Sequence, residues 1–291
     1  LAKLADHLIQ RHFPDLGDTE RPYLAFFHQV VKRTAMTIAK WQAYGFCHGV
    51  MNTDNMSILG LTFDYGPYAF LDDYQSGFIC NHSDHTGRYA FNKQPDIALW
   101  NLSALGYALS PLIEADEINE ALSEFSTAMV REYSRLMQAR LGLDTIQESD
   151  SALFDGLFET MENQHIDYNY FLRQLSLLEA DEFVSACSLT RLGDNPERVS
   201  EWLSDYQQRV ADYSEDEHQV RRQTMLMHNP KYTLRTYLAQ QAIEDAEAGN
   251  MEKVEALMEV LASPFEEHPV HESLSLPPGE EGKGMVLTCS S

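Results

Sequence analysis

Basic residues are scarce in this chain: 21 Lys and Arg stand against 45 Asp and Glu in 291 residues, a formal charge of −24. Binding a nucleic-acid backbone needs clustered cations, so DNA or RNA is disfavoured as the main partner. The few basic groups that fall close together, in QVRRQ and RTYLAQQ, make no stripe. Cysteine is scarcer still. Cys47, Cys80, Cys187 and Cys289 are too few for the disulfide scaffold of a small secreted domain, and an intracellular compartment is the default expectation. Cys47 and Cys187 sit among apolar neighbours and read as buried small hydrophobes. Cys80, in a loop with Gly and Asn, and Cys289, near the end, read as surface thiols. Long apolar runs are missing, which argues against a membrane span, and LAKLADHLIQRHFP has neither the basic start nor the apolar core of a signal peptide. An initiator Met is also missing. Leu1 opens in mid-helix pattern, so the sequence reads as a fragment of a longer protein.

The 44% hydrophobic content suffices for a sizeable core, in one large domain or two small ones. Residues 2–12 predict a short helix. From Tyr23 to about Phe46, Phe27, Val30, Val31, Thr34, Ile38 and Trp41 recur at the spacing of one helical face. The pattern then breaks at GVMNTDN, and SILGLTF reads as a short β-prone run with Gly60 at a turn or bulge. A long aromatic loop follows to Pro95, and a loop of that length usually has a function. Beyond it the chain predicts helices, with runs at about 150–165, 168–189, 196–212, 214–227, 231–248 and 251–262. Asn195-Pro196 and Asn229-Pro230 are marked as helix starts. The Pro-, Gly- and Glu-rich segment from Ser263 predicts a loosely held tail.

The chemistry concentrates between His48 and Asp64. HGVMNTDN places His48, Asp54 and Asn55 within one loop, and a hairpin turning near Gly60 would set Asn55 beside Asp64. Asn and Asp offer hard oxygen ligands, and Mg²⁺ takes few protein oxygens together with those of a phosphate. The residues alone leave alternatives open: Asp54-Asn55 as a turn pair, Asp64-Tyr65-Gly66-Pro67 as a second turn, and His48 as a structural hydrogen-bonding group. The order of elements favours the site. Helix, His loop, Asp-Asn, hairpin and Asp-aromatic-Gly follow the catalytic-loop and metal-loop order of protein-kinase-like folds. A conventional kinase is a poor match, because His48-Gly49-Val50 replaces His-Arg-Asp and the candidate base directly precedes the metal Asn.

HGVMNTDNMSILGLTFDYGPYAFLDDY, continuing through GFICNHSDHTGRYAFNKQP, resembles the SelO family of selenoprotein-O-like proteins, as do MHNPKYTLRTYLAQQAI and the terminal Cys-Ser-Ser. The resemblance covers essentially the whole chain. It implies a protein-kinase-like C-lobe, mainly α-helical with a small β-hairpin, plus a C-terminal helical extension, with the N-lobe absent. The implied division is 1–145 for the lobe, 146–262 for the extension and 263–291 for a redox tail. The implied activity is protein adenylylation, the transfer of AMP from ATP to Ser, Thr or Tyr hydroxyls of protein substrates. By similarity Asp54 is the proton acceptor, and Asn55 and Asp64 bind Mg²⁺, or alternatively Mn²⁺, with Asp64 also against the nucleotide. Cys80 and Cys289 are implied as a redox-regulated disulfide. The family's ATP-binding lysine, its glutamate partner and the phosphate-contacting arginines belong to the absent N-terminal part, so the fragment alone is expected to be inactive. No nucleic-acid or membrane partner is implied, and the expected state is a monomer, cytoplasmic if bacterial and mitochondrial if eukaryotic.

An atypical protein kinase or a non-catalytic pseudokinase domain are the competing functions. Joint retention of Asp54, Asn55 and Asp64 weighs against complete degeneration. Two secondary features read as structural. Cys80, His82 and His85 lack a fourth zinc ligand nearby, and Lys231 and Arg235 read as cations snorkelling from a core helix in preference to docking the extension.

Overall fold

The computed structural model describes residues 1–178 and 188–284, so Cys187 and Cys289 lie outside the described residues. Helix α1, Ala2–His12, leads into α2, Pro22–Tyr44. Proline suits the first turn of α2, and Gly45 ends it at φ 72°, the left-handed conformation that closes a helix C-terminus. The face predicted from the sequence is the buried one, including Phe27, Val30, Val31, Thr34, Ile38 and Trp41.

The chain emerges from α2 into β1, Phe46–Cys47, which pairs antiparallel with β2, Ala69–Phe70. The small β element is therefore present, but it is not the hairpin expected at SILGLTF. That segment forms no strand; Gly60 N–H closes a turn onto Ser57 O at 3.1 Å. The segment is held against α2 instead, through one backbone carbonyl and one side-chain hydroxyl. Thr37 Oγ1 donates to Gly60 O at 2.6 Å, and Trp41 Nε1 donates to Thr62 Oγ1 at 2.8 Å.

Helix α3, Gln94–Leu109, and α4, Ala115–Arg140, complete the first layer, with α4 packed along the length of α2. Their shared core holds Phe13, Phe26, Phe27, Ile38, Leu102 and Phe125. Six further helices follow: α5, Asp150–Asn163; α6, Tyr168–Leu177; α7, Pro196–Arg209; α8, Glu215–His228; α9, Thr236–Glu247; and α10, Glu252–Ala262. A second apolar cluster runs through both regions, joining Cys47, Leu71, Cys80 and Phe91 to Tyr168, Trp202 and Tyr206.

Caps fix several of these starts. Asn195 accepts from Glu197 N–H, and Ser214 with Glu217 forms a reciprocal capping box. Two expected boundaries move. Helix α6 ends at Leu177, followed by extended Leu178, and α9 begins at Thr236 instead of 231. Ahead of α9, the N–H groups of Lys231 and Tyr232 both donate to Pro264 O, at 2.8 and 3.1 Å. Residues 263–284, expected as a loose tail, carry a 3₁₀ helix at Pro269–Ser275, and Glu267 there pairs with Arg173 and Lys231.

Arg235 also departs from its expected role. It is buried, and its guanidinium bridges Asp72, in the loop after β2, and Asp167, the N-cap of α6. It thus ties the segment before α9 to the loop after β2 and to the start of α6 instead of snorkelling. Two carboxylates share one cation here. Burial, only partly offset by Arg235 and reinforced by the negative charge of Asp167, raises Asp72 to about 6.

Candidate active site

The loop after β1 has its main chain held by side chains from three directions. Gln94, fully buried at the start of α3, accepts from His48 N–H at 2.9 Å and donates to Phe46 O at 2.9 Å. Seven residues on, and so on the same face of α3, Asn101 Nδ2 donates to Met51 O at 3.0 Å. From the aromatic loop, Asn81 Nδ2 donates to Gly49 O at 3.2 Å, and Tyr89 Oη donates to Asn52 Oδ1 at 2.6 Å. Gly49 itself lies at φ 79°, and a Cβ there would sit 2.0 Å from Pro67 O and 2.6 Å from Cys80 Sγ. Only glycine fits where these three segments cross.

His48 joins the two loops that matter. Its ring packs on Trp41 with centroids 5.2 Å apart, and Nε2–H donates to Phe63 O at 2.9 Å, the carbonyl next to Asp64. That bond fixes the tautomer and leaves Nδ1 buried without a partner. A ring 2% exposed and committed in this way holds loops together and has no path for a proton to substrate.

From this frame Thr53–Asn55 forms a 3₁₀ turn that carries Asp54 outward into solvent. Asn55 Nδ2 donates to Val50 O at 3.0 Å, which leaves Oδ1 free. Asp64 is exposed and held at φ 57°, with its carbonyl accepting from Gly66 N–H at 2.8 Å. A non-glycine residue in that region is uncommon and marks a locally over-determined backbone. No hydrogen bond joins Asn55 to Asp64. Among the described residues the carboxylates of Asp54 and Asp64 and Asn55 Oδ1 have no intramolecular partner at all. No cluster of three His, Cys, Asp or Glu suited to a metal exists among those residues. Two uncommitted hard oxygens, one amide and one carboxylate, fit a Mg²⁺ that keeps waters and phosphate oxygens as its other ligands.

A cavity of about 440 Å³ opens beside the Asp64 loop, walled by Trp41, Phe46, Tyr65, Tyr232 and Phe265. Lys40 is the one charged residue in its wall, which suits an apolar occupant and not a triphosphate.

Cys80 is not the surface thiol expected. It is 7% exposed, with Sγ 3.2 Å from Pro67 O and 3.4 Å from Cys47 O. The hydrogen bond with Cys47 and burial together push the Cys80 thiol up, while that same bond pulls Cys47 down. Cys47 is buried, as its neighbours suggested.

The sequence reading missed Gln94, Asn101, Asn81 and Tyr89, which hold the loop. A signal existed for two of them: Gln94 and Asn101 are amides seven apart on an otherwise apolar helix face, and a buried amide needs partners.

A mainly helical chain with one short antiparallel β pair and a His loop pinned by buried amides is consistent with a kinase-like C-lobe architecture. The profile described as "Protein adenylyltransferase SelO" matches residues 1–262. Over the whole chain it is 53% identical to a "Protein nucleotidyltransferase YdiU" of Vibrio cholerae and 48% identical to that of Vibrio vulnificus, covering 60% of each relative. A relative of the same description in Photobacterium profundum is 46% identical, with 62% of it covered. This chain belongs to the SelO family and spans about three-fifths of the length of these relatives. Among the described residues, no helix is long and apolar enough to cross a membrane.

Proposed function

We propose that this chain supplies the acceptor-activating and metal-holding half of a protein adenylyltransferase, which moves AMP from ATP to Ser, Thr or Tyr hydroxyls of proteins. The observation that carries the reading is the presentation of three uncommitted oxygen donors, from Asp54, Asn55 and Asp64, on two loops tied by one histidine. Membership of the SelO family and the similarity to nucleotidyltransferases point the same way.

In this reading Asn55 Oδ1 and Asp64 hold Mg²⁺, which when bound supplies charge neutralisation for the phosphates. Asp54, carried outward on its 3₁₀ turn, accepts the proton of the acceptor hydroxyl. That oxygen bonds to the α-phosphorus, the bond from the α-phosphorus to the bridging oxygen breaks, and pyrophosphate leaves. His48 keeps the two loops in register and Gln94 keeps His48 in place. The reading also makes Cys80 and Cys289 a redox pair; because Cys80 is buried, the pairing needs its loop to open first, and a non-reducing peptide map of oxidised protein tests it.

The test compares full-length protein, its Asp54→Ala and Asp64→Ala variants, and the isolated 291-residue chain by intact-mass analysis of acceptor proteins with ATP and Mg²⁺. The expected result is AMP addition by the full-length wild type alone. Phosphate addition instead would favour an atypical kinase, and robust AMP transfer by the isolated chain would overturn its assignment as half of a site.

A further inference from the structure

The aromatic loop ends in a surface feature that the transfer chemistry does not use. Arg88 is exposed, with its guanidinium carbon 5.3 Å from the Trp100 ring centroid and 5.6 Å from that of Tyr89. In a chain with more than twice as many acidic as basic residues, its side chain has neither an ion pair nor a hydrogen bond among the described residues. Asp96, one turn before Trp100 and exposed, does not pair with it; the nearby Asp84 carboxylate is spent on the backbone N–H groups of Arg88 and Tyr89, at 2.9 and 2.7 Å. A guanidinium against ring faces keeps its in-plane N–H groups directed outward, the geometry for a bidentate carboxylate.

Two large aromatic side chains on the same helix stand in solvent. Trp100 is 53% exposed and Tyr107, two turns along α3, is 83% exposed. Trp, Tyr and Arg are the residues enriched at interface hot spots. The patch is also continuous with the candidate active site. Tyr89, which flanks Arg88, holds Asn52 two residues before Asp54, and the opposite face of α3 holds His48 and Met51 through Gln94 and Asn101.

We infer that Arg88, Trp100 and Tyr107 form the docking surface for the acceptor protein, and that the occupant is a segment pairing an Asp or Glu side chain with a neighbouring large apolar one. The inference rests on the AMP-transfer reading for the identity of the partner. The carboxylate takes the free guanidinium, and the apolar side chain covers Trp100 and Tyr107. An acidic protein thereby selects an acidic feature in its substrate, against its own net charge.

The experiment uses full-length protein and two fluorescein-labelled peptides with a central Tyr, one flanked by Glu-Phe and the other by Lys-Phe. Binding is read by anisotropy and transfer by AMP incorporation. The Glu peptide should bind about tenfold more tightly than the Lys peptide, the effect of one close charge pair at a partly desolvated interface. Arg88→Glu should reverse that order, Trp100→Ala and Tyr107→Ala should weaken both peptides, and the KM for ATP should stay as in wild type. All three side chains are exposed in this chain, and an unchanged urea midpoint for each variant checks that the fold is kept. Unchanged binding of both peptides by Arg88→Glu and Trp100→Ala would overturn the surface. The expected binding shifts with no AMP on any peptide would support the surface while refuting the transfer reading.

Discussion

Replacing Gln94 with Met strips the catalytic-loop clamp while nearly preserving its volume. Gln94 is fully buried, and its amide serves two backbone groups, His48 N–H and Phe46 O, each at 2.9 Å. Met leaves both unpaired, away from water. Each orphaned group costs about 1–3 kcal/mol, so the variant should lose about 2–6 kcal/mol. Urea unfolding of the 291-residue chain measures this directly, as a lower midpoint at unchanged slope. Gln94→Glu separates hydrogen bonding from packing. An ionised Glu still accepts from His48 N–H but repels Phe46 O, whereas a protonated one restores both bonds. Burial and that carbonyl raise its folded pKa above the unfolded value of about 4.3, so its deficit against wild type should grow as pH rises above that value and shrink toward acid. Gln94→Met has no such group and should show a constant deficit. In full-length protein both variants should depress kcat for AMP transfer, because Asp54 rides on the clamped loop. A Gln94→Met cost below about 1 kcal/mol, or a pH-independent Gln94→Glu deficit, would refute the clamp.

Three further outcomes follow from the same geometry. Gly49→Ala should lose about 2–5 kcal/mol, combining left-handed strain with overlap on Pro67 O, whereas Gly66→Ala, whose Cβ meets nothing within 4 Å, should stay within about 0.5 kcal/mol in thermal unfolding. Asp72, raised to about 6, binds a proton in the folded state before it does so unfolded, so its contribution falls by about 3 kcal/mol as pH rises from about 4 to 6. Asp72→Asn keeps the Arg235–Asp167 pair and should flatten that part of the stability–pH profile; an unchanged slope by urea titration would count against the shared-cation account. Asp64→Ala and Asp64→Asn should both abolish AMP transfer by full-length protein. Only the Ala variant should also lose about 1 kcal/mol of stability by calorimetry, since Asn tolerates the left-handed backbone at φ 57° better than Ala.

Helices were legible because one buried face repeats in each, as Phe27, Val31, Thr34 and Ile38 do in α2. The order of His48, Asp54, Asn55 and Asp64 was legible as well. Their arrangement was not. SILGLTF has strand composition, but the groups that hold it, Thr37 on the Gly60 carbonyl and Trp41 on the Thr62 hydroxyl, lie about twenty residues earlier on a helix. Local propensity cannot see such a partner. The same blindness left Arg235 snorkelling when Asp72 and Asp167 were its partners. Cys80 read as exposed for a related reason: its loop has turn composition, yet it folds down onto Gly49 and Pro67.

The arginines show why the net charge and the proposed nucleotide chemistry are compatible. Arg140 is fully buried and bonds Asn229 Oδ1 and Asn169 Oδ1, each at 2.8 Å, together with the Ala43 carbonyl; Arg173 serves the Asn229 and Phe265 carbonyls and Glu267. Arg235 is divided between two carboxylates. These cations tie segments distant in sequence together and cannot be released to a triphosphate without leaving buried acceptors unpaired. Arg88 is held by aromatic rings at the surface, Arg33 lies over the Phe13 ring, and Lys40 faces an apolar cavity. Three oxygen donors at Asp54, Asn55 and Asp64 therefore stand without a fixed protein cation. In the AMP-transfer reading, the charge that balances ATP has to arrive with the metal or from the part of the longer relatives that this chain does not span.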